Sequence, residues 1–90
     1  MNKTEIKKKF YKVVSALEEC SDVVLKNDKG VVMERGVNID SDIENNHYIT
    51  YGVEDNLIHL YEGDTELLKI DEESPIIIMI EFALGLTIEQ

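Results

Sequence analysis

Hydrophobic and polar residues alternate along this chain with two different periods, which separate helices from strands. Between residues 3 and 20 the apolar residues recur every three or four positions, and this spacing predicts an amphipathic helix. Asn2 followed by Glu5 resembles a capping box at the start of that helix. The apolar stripe of the predicted helix comprises Ile6, Phe10, Val13, Val14, Leu17 and Cys20.

A β-hairpin is predicted next, between residues 23 and 34. Two short apolar segments, residues 23–26 and 31–34, flank the turn Asn27-Asp28-Lys29-Gly30. Asn and Asp early in a turn and Gly late in it are typical of a type I turn with a left-handed exit. Gly36 predicts a bulge or the end of the second strand. The polar residues 38–46 then predict a loop.

Alternation with a period of two predicts a three-stranded antiparallel meander between residues 48 and 70. A two-residue turn at Asp55-Asn56 would pair Tyr51 with Leu60, and a second turn at residues 63–65 would oppose Leu60 to Leu68. Both registers place the aliphatic side chains on one face. The opposite face is interpreted either as ordinary cross-strand pairing or as a platform for a ligand or partner. Its candidate residues are Tyr48, His59 and Tyr61.

The longest apolar segment runs from residue 74 to residue 86 and predicts a C-terminal helix. Ser74 suits the N-cap, Pro75 the first helical position and Gly85 the left-handed residue after the end. The β-branched residues 76–78 leave a strand as the alternative. With the helix, the chain reads as one α+β domain over residues 1–90: an N-terminal amphipathic helix, an antiparallel sheet of about five strands and a C-terminal apolar helix.

The C-terminal helix is apolar on two sides, which predicts that it contacts more than the sheet. Stepping 100° per residue, Ile78 and Phe82, with Met79 beside them, point away from the side that the sheet can cover. These three residues are the predicted interface of a homodimer. The alternative is that the first helix covers them in a monomer.

Charge is divided unevenly along the chain. The net charge is −10; residues 1–12 carry five lysines and one glutamate, +4, and residues 13–90 carry four basic and eighteen acidic side chains, −14. This balance favours partners with basic surfaces and disfavours direct contact with nucleic acid or an anionic membrane. The lysines near the start of the first helix oppose its dipole, so we expect the acidic remainder of the chain to balance them, with a nucleic-acid phosphate as the alternative.

Residues with catalytic or metal-binding chemistry are sparse, and no cofactor is expected. Acidic neighbours disfavour the thiolate of Cys20, the glycines form no phosphate loop, and the two histidines lack metal-ligand spacing. Residues 40–51 begin like a calcium loop, but Asn45 and Tyr51 stand at its Gly and Glu positions. The chain is therefore not expected to be an enzyme. One cysteine, no signal peptide and no bilayer-length apolar segment predict a cytoplasmic protein.

The function that best fits these patterns is non-catalytic binding of a protein with a basic surface. The composition is typical of small acidic proteins of phages and mobile elements, so one form of this function is an inhibitor that imitates nucleic-acid charge in a basic groove. A homo-oligomer that binds a small ligand or regulates another protein is the alternative. The acidic residues predicted to meet the partner are Asp40, Asp42, Glu44, Glu54, Asp55, Glu62, Asp64, Asp71, Glu72 and Glu73.

Overall fold

The N-terminal helix forms where the apolar period predicted it. The structure, a computed structural model, describes residues 2–39 and 46–85. Helix α1 spans Lys3–Glu18, and the side chain of Asn2 accepts a hydrogen bond from the backbone N–H of Glu5 at 2.9 Å. This bond satisfies one of the N–H groups that the first turn leaves without a helical partner. All of the predicted stripe except the half-buried Cys20 is buried: Ile6, Phe10, Val13, Val14 and Leu17.

Five antiparallel strands form one sheet in which each strand pairs with the next along the chain. The α+β class, the strand number and the two flanking helices are confirmed. The sheet is one continuous meander, because β2 also pairs with β3 and so joins the predicted hairpin to the predicted meander. The strands are β1 (Val23–Lys26), β2 (Val32–Asn38), β3 (His47–Gly52), β4 (Ile58–Glu62) and β5 (Thr65–Ile70).

The turn between β1 and β2 follows its sequence, but the bulge prediction at Gly36 is wrong. The Asn27 side chain accepts hydrogen bonds from the N–H groups of Lys29 and Val31, and Gly30 has the left-handed φ of 81° that the turn requires. The irregularity of this hairpin lies at Leu25/Lys26. Gly36 is buried inside β2, where a Cβ atom would overlap backbone atoms of β3. Close approach of two backbones therefore explains this glycine.

The β3–β4 register differs from the prediction by two residues. Tyr51 lies opposite Ile58 and Ile49 opposite Leu60, because residues 53–57 form a longer connection than the predicted two-residue turn. An even shift keeps every side chain on its predicted face. The β4–β5 register is as predicted for Leu60 opposite Leu68 and for Ile58 opposite Ile70, and a bulge follows at Leu60/Tyr61.

The C-terminal apolar segment is a helix, which decides against the strand alternative. Helix α2 spans Ile77–Ala83 and begins two residues later than Ser74 and Pro75 predicted. Ile76 is its N-cap and no side chain caps it, so the predicted Ser74 cap is wrong. The stop is as predicted, since Gly85 has a φ of 76° and donates its N–H to the carbonyl of Phe82.

Both helices pack on one face of the sheet. α1 lies against β2 and β3, and α2 lies against α1. Aliphatic side chains from alternate positions of the strands, Ile49, Ile58 and Ile70, join Ile77 and Ile80 of α2 in a single hydrophobic core with the α1 stripe. The other sheet face, called the outer face below, carries the polar and aromatic residues that the alternation assigned to it.

Candidate functional site

Aromatic rings from β3 and β4 stack on the outer face. The ring centroids of Tyr48 and Tyr61 lie 4.9 Å apart at 19°, and those of His59 and Tyr61 lie 6.0 Å apart at 15°. Tyr48 and Tyr61 are direct cross-strand partners, so the pleat holds the two rings side by side. The three residues predicted as a ligand or partner face are therefore neighbours in the structure.

Glu34, on the neighbouring strand β2, contacts residues of this outer face. Its carboxylate accepts a hydrogen bond from the Thr50 hydroxyl at 2.5 Å and from the Tyr61 hydroxyl at 3.0–3.1 Å. Burial, followed by this bond to Glu34, raises the pKa of Tyr61 well above its ordinary value. The phenol therefore stays protonated and acts as a donor over the physiological pH range.

His59 lies between two carboxylates that belong to different structural elements. Its Nδ1 lies 2.6 Å from Oε1 of Glu66 on β5, and its Nε2 lies 3.0 Å from Oδ2 of Asp55 in the β3–β4 connection. His59 is only 4% exposed. We call these three residues the His59 clamp, because one ring joins the connection before β4 to the strand after it.

The clamp favours the charged imidazolium. Burial alone would lower the pKa of His59, but the hydrogen bonds to Glu66 and Asp55 and the nearby charge of Glu34 raise it above its ordinary value. For Asp55, burial acts to raise the pKa, and the bonds from the Leu57 N–H and from His59 outweigh it and lower the pKa. Both shifts favour the ion pair between the imidazolium and the carboxylate.

Gly52 makes room for the clamp. A Cβ atom at this position would lie 2.7 Å from Oδ1 of Asp55 and 3.0 Å from Nε2 of His59. His59 was predicted to lie on this face, but the roles of Glu34, Asp55 and Glu66 were missed. Asp55 was assigned to the partner-binding set and the other two to none. Their approach depends on the bulge and on the longer β3–β4 connection, which the alternation does not reveal.

The predicted acidic residues do not form one surface. Because β3 and β5 run in the same direction, Glu54 and Asp55 lie at the sheet end where the segment 71–73 begins, and Glu62 and Asp64 lie at the opposite end. Several already have partners within the chain: Asp55 contacts His59, Glu62 contacts His47 at 2.9 Å, and Glu72 contacts Lys7 and Tyr11. Asp40, Asp42 and Glu44 lie outside the described residues.

A second charged cluster joins the two helices. The Glu81 side chain is almost completely buried, and its two oxygens lie 2.7 Å from Nζ of Lys9 and 3.3 Å from Nζ of Lys12. The bond from Lys9 outweighs the burial of the carboxylate, and the Lys12 bond adds to it, so the pKa of Glu81 is lowered. A cleft of about 290 Å³ opens beside them. The expectation that acids elsewhere in the chain balance the α1 lysines is thus met for Lys9, Lys12 and Lys7.

The three residues predicted to mediate oligomerisation differ in exposure. Met79 and Phe82 on α2 are 69% and 73% exposed. Ile78 is half-buried and packs against the hydrophobic core, contrary to the expectation that it points away. The actual α2 helix also turns Ile77 inward, together with Ile80, and buries Glu81 between the lysines.

The remaining chemical groups are engaged in local contacts. The Cys20 thiol donates to the Ala16 carbonyl at 3.1 Å, and burial followed by the charges of Asp22 and Glu19 raises its pKa.

Within residues 2–39 and 46–85, no three His, Cys, Asp or Glu side chains are arranged to hold a metal ion. Neither described helix has the length and apolar character needed to span a bilayer.

Comparison with known proteins finds no match: no protein family, no curated protein and no solved structure is significantly similar to this chain.

Proposed function

We propose that this protein is a non-catalytic binding module that receives a basic surface of another protein on the outer face of its sheet. The observation that carries the proposal is the tyrosine stack of Tyr48 and Tyr61, flanked by the carboxylates of Glu34 and Glu66. Lysine and arginine groups bind to tyrosine faces and to carboxylates, and a site that offers both favours them over neutral groups.

The electrostatic field of the whole chain also favours a partner with a basic surface. Residues 13–90 carry a net charge of −14, and the α1 lysines that oppose it are partly neutralised by Glu81 and Glu72. Such a field steers a basic protein toward this one and repels nucleic acid. One form of the function is inhibition of a nucleic-acid-binding protein by occupation of its basic groove, in the cytoplasm.

A capture experiment with matched baits tests the proposal. Wild-type protein, Tyr48→Ala and Tyr11→Ala are immobilised, and proteins bound from a lysate at low and high salt are identified by mass spectrometry. Tyr11 serves as the control because it is an exposed tyrosine on α1, on the opposite face. We expect basic proteins that bind to wild type and to Tyr11→Ala, are lost with Tyr48→Ala and are released by salt. Identical captures by all three baits would reject the outer face as the site.

Self-association through α2 is the second candidate, favoured by the exposure of Met79 and Phe82. Large apolar side chains this exposed are uncommon on a small monomer when they are adjacent, and they are frequent at interfaces. A dimer would present two outer faces to a partner, and the measured molar mass in solution decides between monomer and dimer.

A further inference from the structure

Among the described residues 2–39 and 46–85, no strand pairs with the outer side of β5, which is an edge of the sheet. It pairs with β4 on one side, and it is the last strand in the order. Five of its six residues, Thr65 to Lys69, are exposed. An edge strand directs alternate N–H and C=O groups outward, where another extended chain can pair with them.

The side chains of β5 suit an added strand. Leu67 and Leu68 are 46% and 39% exposed and lie at the centre of β5, where the bulge leaves Leu67 without a partner residue on β4. A chain paired alongside would cover these two leucines with its own apolar side chains. Main-chain hydrogen bonds would supply affinity, and these two apolar contacts would supply selectivity.

The charge around β5 defines the kind of chain that fits. Residues 62–73 contain six acidic side chains and Lys69, a net charge of −5. The acids lie mainly beyond the two ends of the strand, and the leucines lie at its centre. The acidic side chains are Glu62, Asp64, Glu66, Asp71, Glu72 and Glu73.

The other edge strand, β1, differs from β5 in length and in the charge around it. β1 has four residues, and residues 22–29 contain Asp22, Lys26, Asp28 and Lys29, a net charge of zero. A second copy of the chain is also a poor occupant of β5, because pairing two β5 edges would bring two segments of net charge −5 together.

We propose that β5 accepts, as a sixth strand, an extended segment of a protein partner with an apolar centre and lysine or arginine at both ends. This inference rests on the proposed function, because it specifies how part of the same basic partner is held. Glu66 and Lys69 place the added strand at the border of the outer face, next to His59.

Selection of peptides tests the inference without a known partner. A random peptide library displayed on phage is panned against the wild-type protein, and enriched peptides are synthesised. We expect strand-forming sequences flanked by lysine or arginine. In NMR titrations they should shift the amide signals of Thr65–Ile70 and slow the hydrogen exchange of the amides that point outward.

Two test variants and one control variant separate edge pairing from general electrostatic attraction. Leu68→Lys charges the edge, and we expect it to weaken binding of the peptides by at least about tenfold. Val53→Lys is the control, since Val53 is also an exposed apolar residue but lies in the β3–β4 connection. Glu73→Lys should weaken binding less and make it less sensitive to salt.

The outcomes distinguish the inference from the proposed function. Basic peptides that bind but shift Tyr48 and Tyr61 while the β5 amides stay unchanged would overturn the edge strand and leave the proposed function standing. Enriched peptides without basic residues would overturn both. A doubled molar mass that Leu68→Lys returns to that of the monomer would show that β5 pairs with a second copy and would overturn the assignment of a basic partner.

Discussion

Replacement of His59 by glutamine should destabilise the protein in a pH-dependent way. Glutamine can donate to Asp55 or to Glu66 but cannot join both as an imidazolium does. A hydrogen bond to a charged group contributes about 1.5–3 kcal/mol, so loss of one such bond should cost about 2 kcal/mol. For a chain of this size each kcal/mol shifts Tm by roughly 4–8 °C, so Tm should fall by roughly 10 °C.

The pH window follows from the directions of the two pKa shifts. The pKa of His59 is raised in the folded protein above its ordinary value of 6.5, so its contribution is complete below pH 6.5 and is lost as the pH rises through the folded pKa. The pKa of Asp55 is lowered below 3.8, so its contribution is complete above pH 3.8 and is lost as the pH falls through the folded pKa. The difference between wild type and His59→Gln should therefore be largest between these two values.

Urea denaturation at a series of pH values measures this difference, and NMR titration of the imidazole measures the pKa directly. Lys69 lies opposite His59 on β5, and Glu34 lies nearby. Both charges are present in wild type and in the variant, so their effects on stability cancel when the two proteins are compared. His47→Gln is the control, because His47 pairs with the exposed Glu62 and such a pair contributes at most about 1 kcal/mol. An imidazole of His59 that titrates below pH 6.5, or a difference that is constant from acid to alkaline pH, would refute the clamp.

Four further substitutions test the packing. Glu81→Gln should cost about 1–3 kcal/mol in urea denaturation, because it removes the negative charge that holds two lysines against α2. Gly36→Ala should cost at least about 3 kcal/mol or prevent folding, measured by circular dichroism, because its Cβ would overlap the Ile49 carbonyl. Ile78→Asp should lower Tm, because it buries a charge at the edge of the core. Phe82→Asp should leave the Tm of a monomer nearly unchanged, because Phe82 is exposed. If α2 forms a dimer, Phe82→Asp should reduce the molar mass measured by light scattering.

Matched controls accompany these variants. Glu73→Gln removes an exposed carboxylate and should change the free energy of unfolding by less than about 0.5 kcal/mol. Gly30→Asn replaces a glycine with open space around it by a residue that tolerates the left-handed conformation, so the fold should persist. Equal destabilisation by Gly36→Ala and Gly30→Asn would contradict the close backbone approach, and an unchanged Tm in Ile78→Asp would show that this residue does not pack on the core.

Much of the fold could be predicted because local patterns and tertiary packing agree. The α1 stripe, the turn at Asn27 and the β4–β5 register each follow from a period or from turn chemistry. Predictions failed where two local signals competed. Ser74 and Pro75 suit a helix start. The carbonyls of Asp71 and Ser74 instead accept turn hydrogen bonds from the N–H groups of Ser74 and Ile77, and α2 begins at Ile77.

The candidate site was predicted in part. Tyr48, His59 and Tyr61 were placed together correctly, since side chains at alternate positions of paired strands share a face. The partners of His59 were not predicted, because their positions depend on where the β3–β4 connection and the β4–β5 bulge place two carboxylates. Likewise the sequence placed lysines against the α1 dipole, but it did not indicate that Glu81 would balance two of them.

The sequence by itself determined α1, the five strands, the faces that these elements bury and the acidity of the chain, because periodicity, turn residues and composition are local properties. Whether the C-terminal apolar segment forms a helix, and which side of it packs on the core, was decided by the tertiary structure. The tertiary structure decided which charges meet. Glu81 is an isolated acid in the apolar segment, and it meets two lysines only because α2 packs on α1. His59 is one polar residue of a strand, and the β3–β4 connection and strand β5 each bring a carboxylate to one of its nitrogens. Such contacts join residues far apart in the chain, and their distances depend on packing, which no local pattern encodes.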